Sequence, residues 1–426
     1  MSESPNPAPE ISVDEQKGHS HGSLLVIFLV VMIDLLGFGL VLPLLPLYAQ
    51  QYSVDESGIA IGLLMASFSA MQFFFSPLWG MVSDRIGRRP VLMVGLAGSV
   101  IFYALFGLAT VWQSLPWIFV SRIGAGICGA TISTAQAYIA DTTTDKGRSR
   151  GMALIGMAFG VGFTFGPVLG YLSIPAGVGD PGPLPGYLAS GLSAGALILA
   201  FFLLPESLHS GSRKASERFD FQGIKRALSL PRVPWIFATI FVLVFSFANF
   251  ETTLSMLIKD EPFSFTWKQI CGTFAIIGFT LAMIQGGVVR PLYKRFDESK
   301  MAISGAVMEI IGFAVVSWSI AYSSLTGLFV SLFIVVTGFS FMQPSVNSLL
   351  SRNSPPNEQG TVLGTGQSVN SLARILGSGL AIPLLKWQTL SPYLLAASLM
   401  VLATLLLFAI GSKGWSPQDE VAQEST

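Results

Sequence analysis

Gly80-Met81-Val82-Ser83-Asp84-Arg85-Ile86-Gly87-Arg88-Arg89-Pro90 lies between two apolar runs, each long enough to cross a bilayer. It puts Asp84 and three arginines, Arg85, Arg88 and Arg89, into a connection too short to fold alone, with Gly80 and Gly87 expected to let the backbone turn tightly. The stretch therefore reads as a charged clasp between two membrane helices. A plain alternative is that the arginines only mark the cytoplasmic side.

Working outward, apolar runs of about 20 residues, enough for ~30 Å of hydrocarbon, fall near 24–48, 58–80, 90–112, 116–140, 151–172 and 187–205. Six more follow near 235–258, 268–290, 301–322, 325–350, 361–385 and 391–412. Backbone polar groups inside a bilayer must be satisfied within the segment, so runs of this length are helices. The expected fold is an all-α membrane protein of twelve transmembrane helices in two pseudo-symmetric six-helix bundles. The expected boundaries are a disordered tail over 1–22, bundles over 23–205 and 235–412, a central loop over 206–234 and a tail over 413–426.

Composition agrees: 51% of residues are hydrophobic and 11% charged, against about 25% charged in a soluble domain. The formal net charge of zero gives no footprint for nucleic acid. Cys128 and Cys271 both lie in apolar runs and read as packing residues, and no metal ligands or catalytic residues stand out. An enzyme is not expected. Of the 24 Lys and Arg, Lys259, Lys268 and Lys386 lie in one set of loops, Arg122 and Arg374 lie inside spans, and the rest lie in the tails and the alternate loops. Both termini and the central loop are thus expected in the cytoplasm.

The two halves echo each other. A shift of 210 residues lays Asp84-Arg85-Ile86 over Lys294-Arg295-Phe296, and a shift of 209 lays Gly151 over Gly360. A cavity between two such halves, open to one side at a time, is the expected transport site. No phosphate-binding G-x-x-x-x-G-K-[ST] loop is present. The expected energy source is a proton gradient, with no cofactor.

Ionisable residues inside spans are functional candidates by default. Asp34 lies about ten residues into the first span, ~15 Å deep. Glu251 is on the seventh span, Glu309 on the ninth, Arg122 on the fourth and Arg374 on the eleventh. A carboxyl in a low-dielectric cavity can take up and release a proton as water reaches it from alternate sides. Neutralisation of acids by arginines across helices, as structural glue, is the alternative. On the fourth span, Arg122, Gly126, Gly129 and Ser133 share one face. On the fifth, Gly162, Gly166 and Gly170 recur every fourth residue, with Gly156 and Gly160 one step earlier and Pro167 inserted as a possible pivot. Phe73-Phe74-Phe75 and Phe245, Phe247 and Phe250 are candidates for an aromatic lining, which would favour a lipophilic and cationic substrate.

Gly80 to Arg89 matches the G-x-x-x-D-R-x-G-R-R loop between helices two and three of the major facilitator superfamily at every defined position, and the chain resembles that family. Arg122 to Gly129 resembles its fourth-helix motif, and Gly166-Pro167-Val168-Leu169-Gly170 the fifth-helix motif of its antiporters. Asp34-Leu35-Leu36-Gly37-Phe38-Gly39, with Pro43 and Pro46, is similar to the first helix of the twelve-helix drug:proton antiporters, tetracycline-efflux proteins in particular. The resemblance implies roles for Gln72, Arg122 and Glu309 as counterparts of intramembrane polar residues of those exporters. It also implies a cytoplasmic gate in which Asp84 and Arg88 are joined by Asp141, with Asp84 facing the N-terminus of the eleventh helix. A bacterial inner membrane is the implied location.

Departures count against tetracycline itself: Phe102 stands before Tyr103 where those exporters have an acid, and His19, His21 and His209 all lie outside the spans. In the fifth-helix motif, Tyr171 replaces the usual second glycine. The expectation is a proton-coupled exporter of a small amphiphilic compound, working as a monomer on substrate, protons and lipid, with Asp34 and Glu309 as proton carriers. Nutrient uptake and a non-transporting receptor or scaffold are the alternatives.

Overall fold

The computed structural model describes residues 13–52, 55–143, 145–174, 181–208, 225, 228–293, 295–354 and 359–411. Twelve helices among these are long and apolar enough to cross a membrane: α1 Gly22–Val41, α2 Ile59–Ile86, α3 Arg88–Val111, α4 Leu115–Thr142, α5 Leu154–Ser173, α6 Leu184–Leu203, α7 Val233–Lys259, α8 Trp267–Val289, α9 Glu298–Ala321, α10 Leu325–Arg352, α11 Val362–Trp387 and α12 Ser391–Ile410. Large apolar side chains such as Phe202 and Phe74 are exposed on the outer surface of the bundle, as lipid contact requires.

Several boundaries differ from the sequence reading for local reasons. The first helix extends back to Val13, so residues 13–22 are helical; the segment lacks proline and opens with Asp14 and Glu15, the charge order that suits a helix start. Residues 1–12, 209–224, 226–227 and 413–426 of the expected tails and central loop, and residue 412 of the second bundle, lie outside the described residues. The apolar run expected over 24–48 breaks at a turn after Val41, next to Pro43, and resumes as a short helix, Leu45–Tyr52. The fourth span is two helical pieces, Leu115–Gly129 and Ile132–Thr142. The eighth carries a π-helical stretch, Ile284–Val289.

Packing follows the small residues. α1 lies on α5, where a Cβ on Gly39 would meet the Gly162 carbonyl oxygen and one on Gly166 would meet Gly39. α2 meets α11 across the two halves, with Gly62 against the Gly379 backbone. α8 meets α5 the same way, with Gly278 against Phe163 and Thr164. Without a hydrophobic driving force in lipid, such close backbone approach is what holds helices together. The expected glycine stripe on α5 therefore divides. Gly162 and Gly166 pack on α1 and Gly170 approaches Leu40 and Cys271, but a Cβ on Gly156 or Gly160 would meet nothing within 4 Å. Those two are not packing residues; they line open space, because they fall on the side of α5 turned from α1. The helix runs through Pro167 without interruption.

Candidate functional site

Between the halves lies a cavity of about 560 Å3. The close approaches between halves cluster at one end of the molecule, called here the Lys386 face. Lys386 Nζ donates to the Asp55 carbonyl oxygen at 2.8 Å, Gln50 bonds Asp260, and Tyr48 packs on Trp267 at 5.2 Å between ring centroids. Burial raises the Asp260 carboxyl above its ordinary range, against the opposing pull of Gln50, Lys259 and Lys386. From this closed end the cavity reaches toward the opposite end, the Asp84 face.

Asp34, Gln72, Glu251 and Arg374 all line the cavity. Asp34 Oδ1 accepts from Ser193 Oγ at 2.9 Å, and Ser99 and Tyr103 of α3 share its wall. Gln72 Nε2 donates to the Gly129 carbonyl oxygen at 3.3 Å. Glu251 and Arg374 form an ion pair at 3.3 Å that joins α7 to α11, so this acid and base face the cavity as a neutralised couple. Asp34, the third charged lining residue, is the only one without a charged partner among the described residues.

Two expected members are elsewhere. Arg122 is buried behind the wall, its guanidinium 4.5 Å from the Phe68 ring centroid and 5.8 Å from that of Phe38, a cation–π arrangement on the helix face that packs against α2. Glu309 is fully buried, with both carboxyl oxygens unpartnered, and lies against the Gly338 backbone of α10. No residue of α9 lines the cavity, because α9 packs on α10 and α12 behind it. Glu309 and Asp34 are therefore not neighbours in one cavity. The aromatic lining is also partly reassigned. Phe247 and Phe250 line the cavity, whereas Phe74 is exposed outward and the backbone of Phe245 backs onto Gly377 of α11.

At the Asp84 face the connection between α2 and α3 is a single residue, Gly87, at φ +110°. A side chain there would be strained and would collide with the Glu206 carboxylate. Gly80 is not part of the turn; it is inside α2 and meets nothing. Arg88 is the hub. Its guanidinium reaches Asp84 at 2.5 Å, Ser83 Oγ at 2.6 Å and Asp141 at 3.0 Å. Arg89 donates to the Phe201 carbonyl oxygen at 2.6 Å, while Arg85 is exposed. The start of α11, which Asp84 was expected to face, adjoins residues 355–358, which lie outside the described residues. Asp84 pairs with Arg88, and α2 meets α11 at the other end, through Gly62 and Gly379.

Sequence reading missed Glu206. Its carboxylate accepts from the backbone N–H of Arg88 at 2.9 Å and of Arg89 at 3.2 Å, capping α3 from the end of α6. An acid directly after an apolar span was the available signal. It also missed the cavity's carboxamides other than Gln72, because apart from the resemblance only ionisable residues were sought inside spans.

The Major Facilitator Superfamily model matches residues 27–378. Tetracycline resistance protein, class C, of Escherichia coli is 31% identical over 363 residues, spanning 84% of this chain and 88% of that protein. Major facilitator superfamily domain-containing protein 10 of Mus musculus is 29% identical over 450 residues, spanning 93% and 94%. Among solved structures, the human organic anion transporter MFSD10 (TETRAN) is similar with a TM-score of 0.70 at 28% identity, covering 91% of this chain and 99% of that one. A D-xylose-proton symporter shares the fold, with a TM-score of 0.71 at 18% identity. Twelve spans, a cavity between halves and a family match over most of the length make this chain a member of the Major Facilitator Superfamily, a multi-pass membrane transporter and not an enzyme.

Proposed function

We propose that this transporter exports a small amphiphilic compound in exchange for protons, with Asp34 as the proton carrier. The observation that carries the reading is the cavity wall. Asp34 faces open space and has a neutral hydroxyl for a partner, so it can change protonation without breaking an ion pair. Glu309, out of contact with the cavity, drops out of this role. Glu251 and Arg374 tie α7 to α11, and their separation when substrate binds would couple the cavity to helix movement. By the distribution of Lys and Arg, the Asp84 face is cytoplasmic. The cavity then loads from the cytoplasm, the direction export requires. Relatives come from bacteria and mammals, so orientation, rather than organism, identifies the membrane side. The reading takes the monomer as the working unit.

The test is proton release from inverted vesicles with an acidified lumen on adding lipophilic compounds singly, comparing wild type with Asp34→Asn. Release by wild type alone is expected. Equal responses of both proteins, each shown to be folded, would remove Asp34 from the mechanism. One observation favours a second reading, an organic anion as cargo: Arg374 reaches the cavity, and an anion could replace Glu251 on it. Stimulation by organic anions and not by cations, lost in Arg374→Gln, would select that reading.

A further inference from the structure

The cavity wall changes chemistry along its depth. Toward the Lys386 face it is formed by rings: Phe38, Phe163, Phe247, Phe250, Phe274 and Phe339. Toward the Asp84 face it is lined by side-chain amides. Gln72 and Gln136 come from the first half, and Gln285, Gln343, Asn347, Gln367 and Asn370 from the second.

Helix directions order these layers. On α10, which runs toward the Asp84 face, Gln343 and Asn347 lie about 6 and 12 Å beyond Phe339. On α8, running the same way, Gln285 lies about 16 Å beyond Phe274. On α11, running oppositely, Gln367 and Asn370 precede Arg374. Gln285 sits in the π-helical stretch Ile284–Val289, the widened turn that brings its side chain onto the wall. Three charged residues, Asp34, Glu251 and Arg374, share the wall with the amides, Arg374 one turn beyond Asn370 on α11. Among the described residues, Gln72 alone of these seven has a side-chain hydrogen bond to protein.

We infer that this carboxamide collar is the specificity site for the polar end of the substrate, and that the substrate is a two-ended amphiphile: an aromatic or apolar end against the phenylalanines and an uncharged hydroxyl- or carbonyl-rich head against the amides. Each carboxamide offers donors and an acceptor, so the collar suits groups that both give and take hydrogen bonds. Its amides do not ionise, so head recognition is independent of the protonation of Asp34. The inference rests on the cavity being the substrate site, as in the function proposed above. It concerns binding, so its test reads no protons.

The probes are two naphthalenes with different heads, 2-naphthyl β-glucoside and (2-naphthylmethyl)trimethylammonium. Binding to the purified full-length protein in detergent is measured for wild type, Gln343→Leu and the double variant Gln343→Leu/Gln367→Leu, with unliganded melting temperatures as the folding control. Gln343→Glu is included because it retains hydrogen bonding at similar size. The expected result is that wild type binds the glucoside, that the double variant loses about tenfold for it, that Gln343→Glu loses less than Gln343→Leu, and that cation binding is unchanged in the two leucine variants. Failure of wild type to bind the glucoside, or equal loss for both probes in folded variants, overturns the inference. Failure of proton exchange in the vesicle experiment, with these binding results intact, would count against antiport and not against the collar.

Discussion

The two halves close the same corner with opposite charges. In the first, Arg88, the first residue of α3, pairs with Asp141 near the end of α4 at 3.0 Å. In the second, Glu298, the first residue of α9, pairs with Arg352, the last of α10, at 2.8 Å. Glu298 stands 210 positions after Arg88 and Arg352 stands 211 after Asp141. The repeat thus keeps the pairing of a helix start with a helix end and exchanges the signs.

That exchange has a physical consequence. A helix N-terminus carries partial positive charge, so Glu298 suits its position and Arg88 does not. The first half compensates with Glu206, whose carboxylate binds the first backbone N–H groups of α3. It also surrounds Arg88 with a second acid, Asp84. The corner of the second half needs no such addition; Ser348 Oγ also bonds Glu298, at 3.3 Å. Exposure differs accordingly: the Arg88 side chain is 9% exposed and that of Arg352 67%.

Three substitutions would break or sharpen this comparison. Arg88→Ala should cost the most, about 2 to 4 kcal/mol, because it leaves Asp84 and Asp141 close together without the guanidinium that joins them. Thermal unfolding of the purified protein would show it as the largest drop in Tm of the three, and a drop no larger than that of Arg352→Ala would end the asymmetry argument. Glu206→Gln should cost about 1 kcal/mol through loss of the charged cap. Its effect should shrink in an Arg88→Ala background if the two act on one helix end, which a double-mutant cycle of unfolding free energies would measure. Arg352→Ala should change stability by no more than about 0 to 1 kcal/mol, since an exposed ion pair contributes little. A larger loss would mean that the second corner is not the weaker copy.

The Gly80 to Pro90 stretch shows how far the sequence reading carried. Its turn at Gly87 was legible because short spacing leaves few geometries for a loop between two spans, whereas the pairing of Arg88 with Asp141 came from the family resemblance. Gly80 was misplaced into the turn because nothing in the sequence marks where α2 stops. Glu206 was invisible as a partner of Arg88, being more than a hundred residues away. Asp34, Glu251 and Arg374 were found because ionisable groups in lipid are costly enough to stand out, and Gln72 through the family resemblance.

The sequence alone determined the twelve helices and the division into halves, since hydrophobic length and backbone hydrogen bonding in lipid leave few alternatives. It also determined which residues are costly to insert. Only the tertiary structure decided which of these share a wall. Helical periodicity sets a residue's angle around its own axis but not which neighbour that face meets. The rotation of α9 against α10 buries Glu309 away from Asp34, and the facing of α7 and α11 turns Glu251 and Arg374 into a pair. Seven amides from five different helices become one collar only when those helices are packed together.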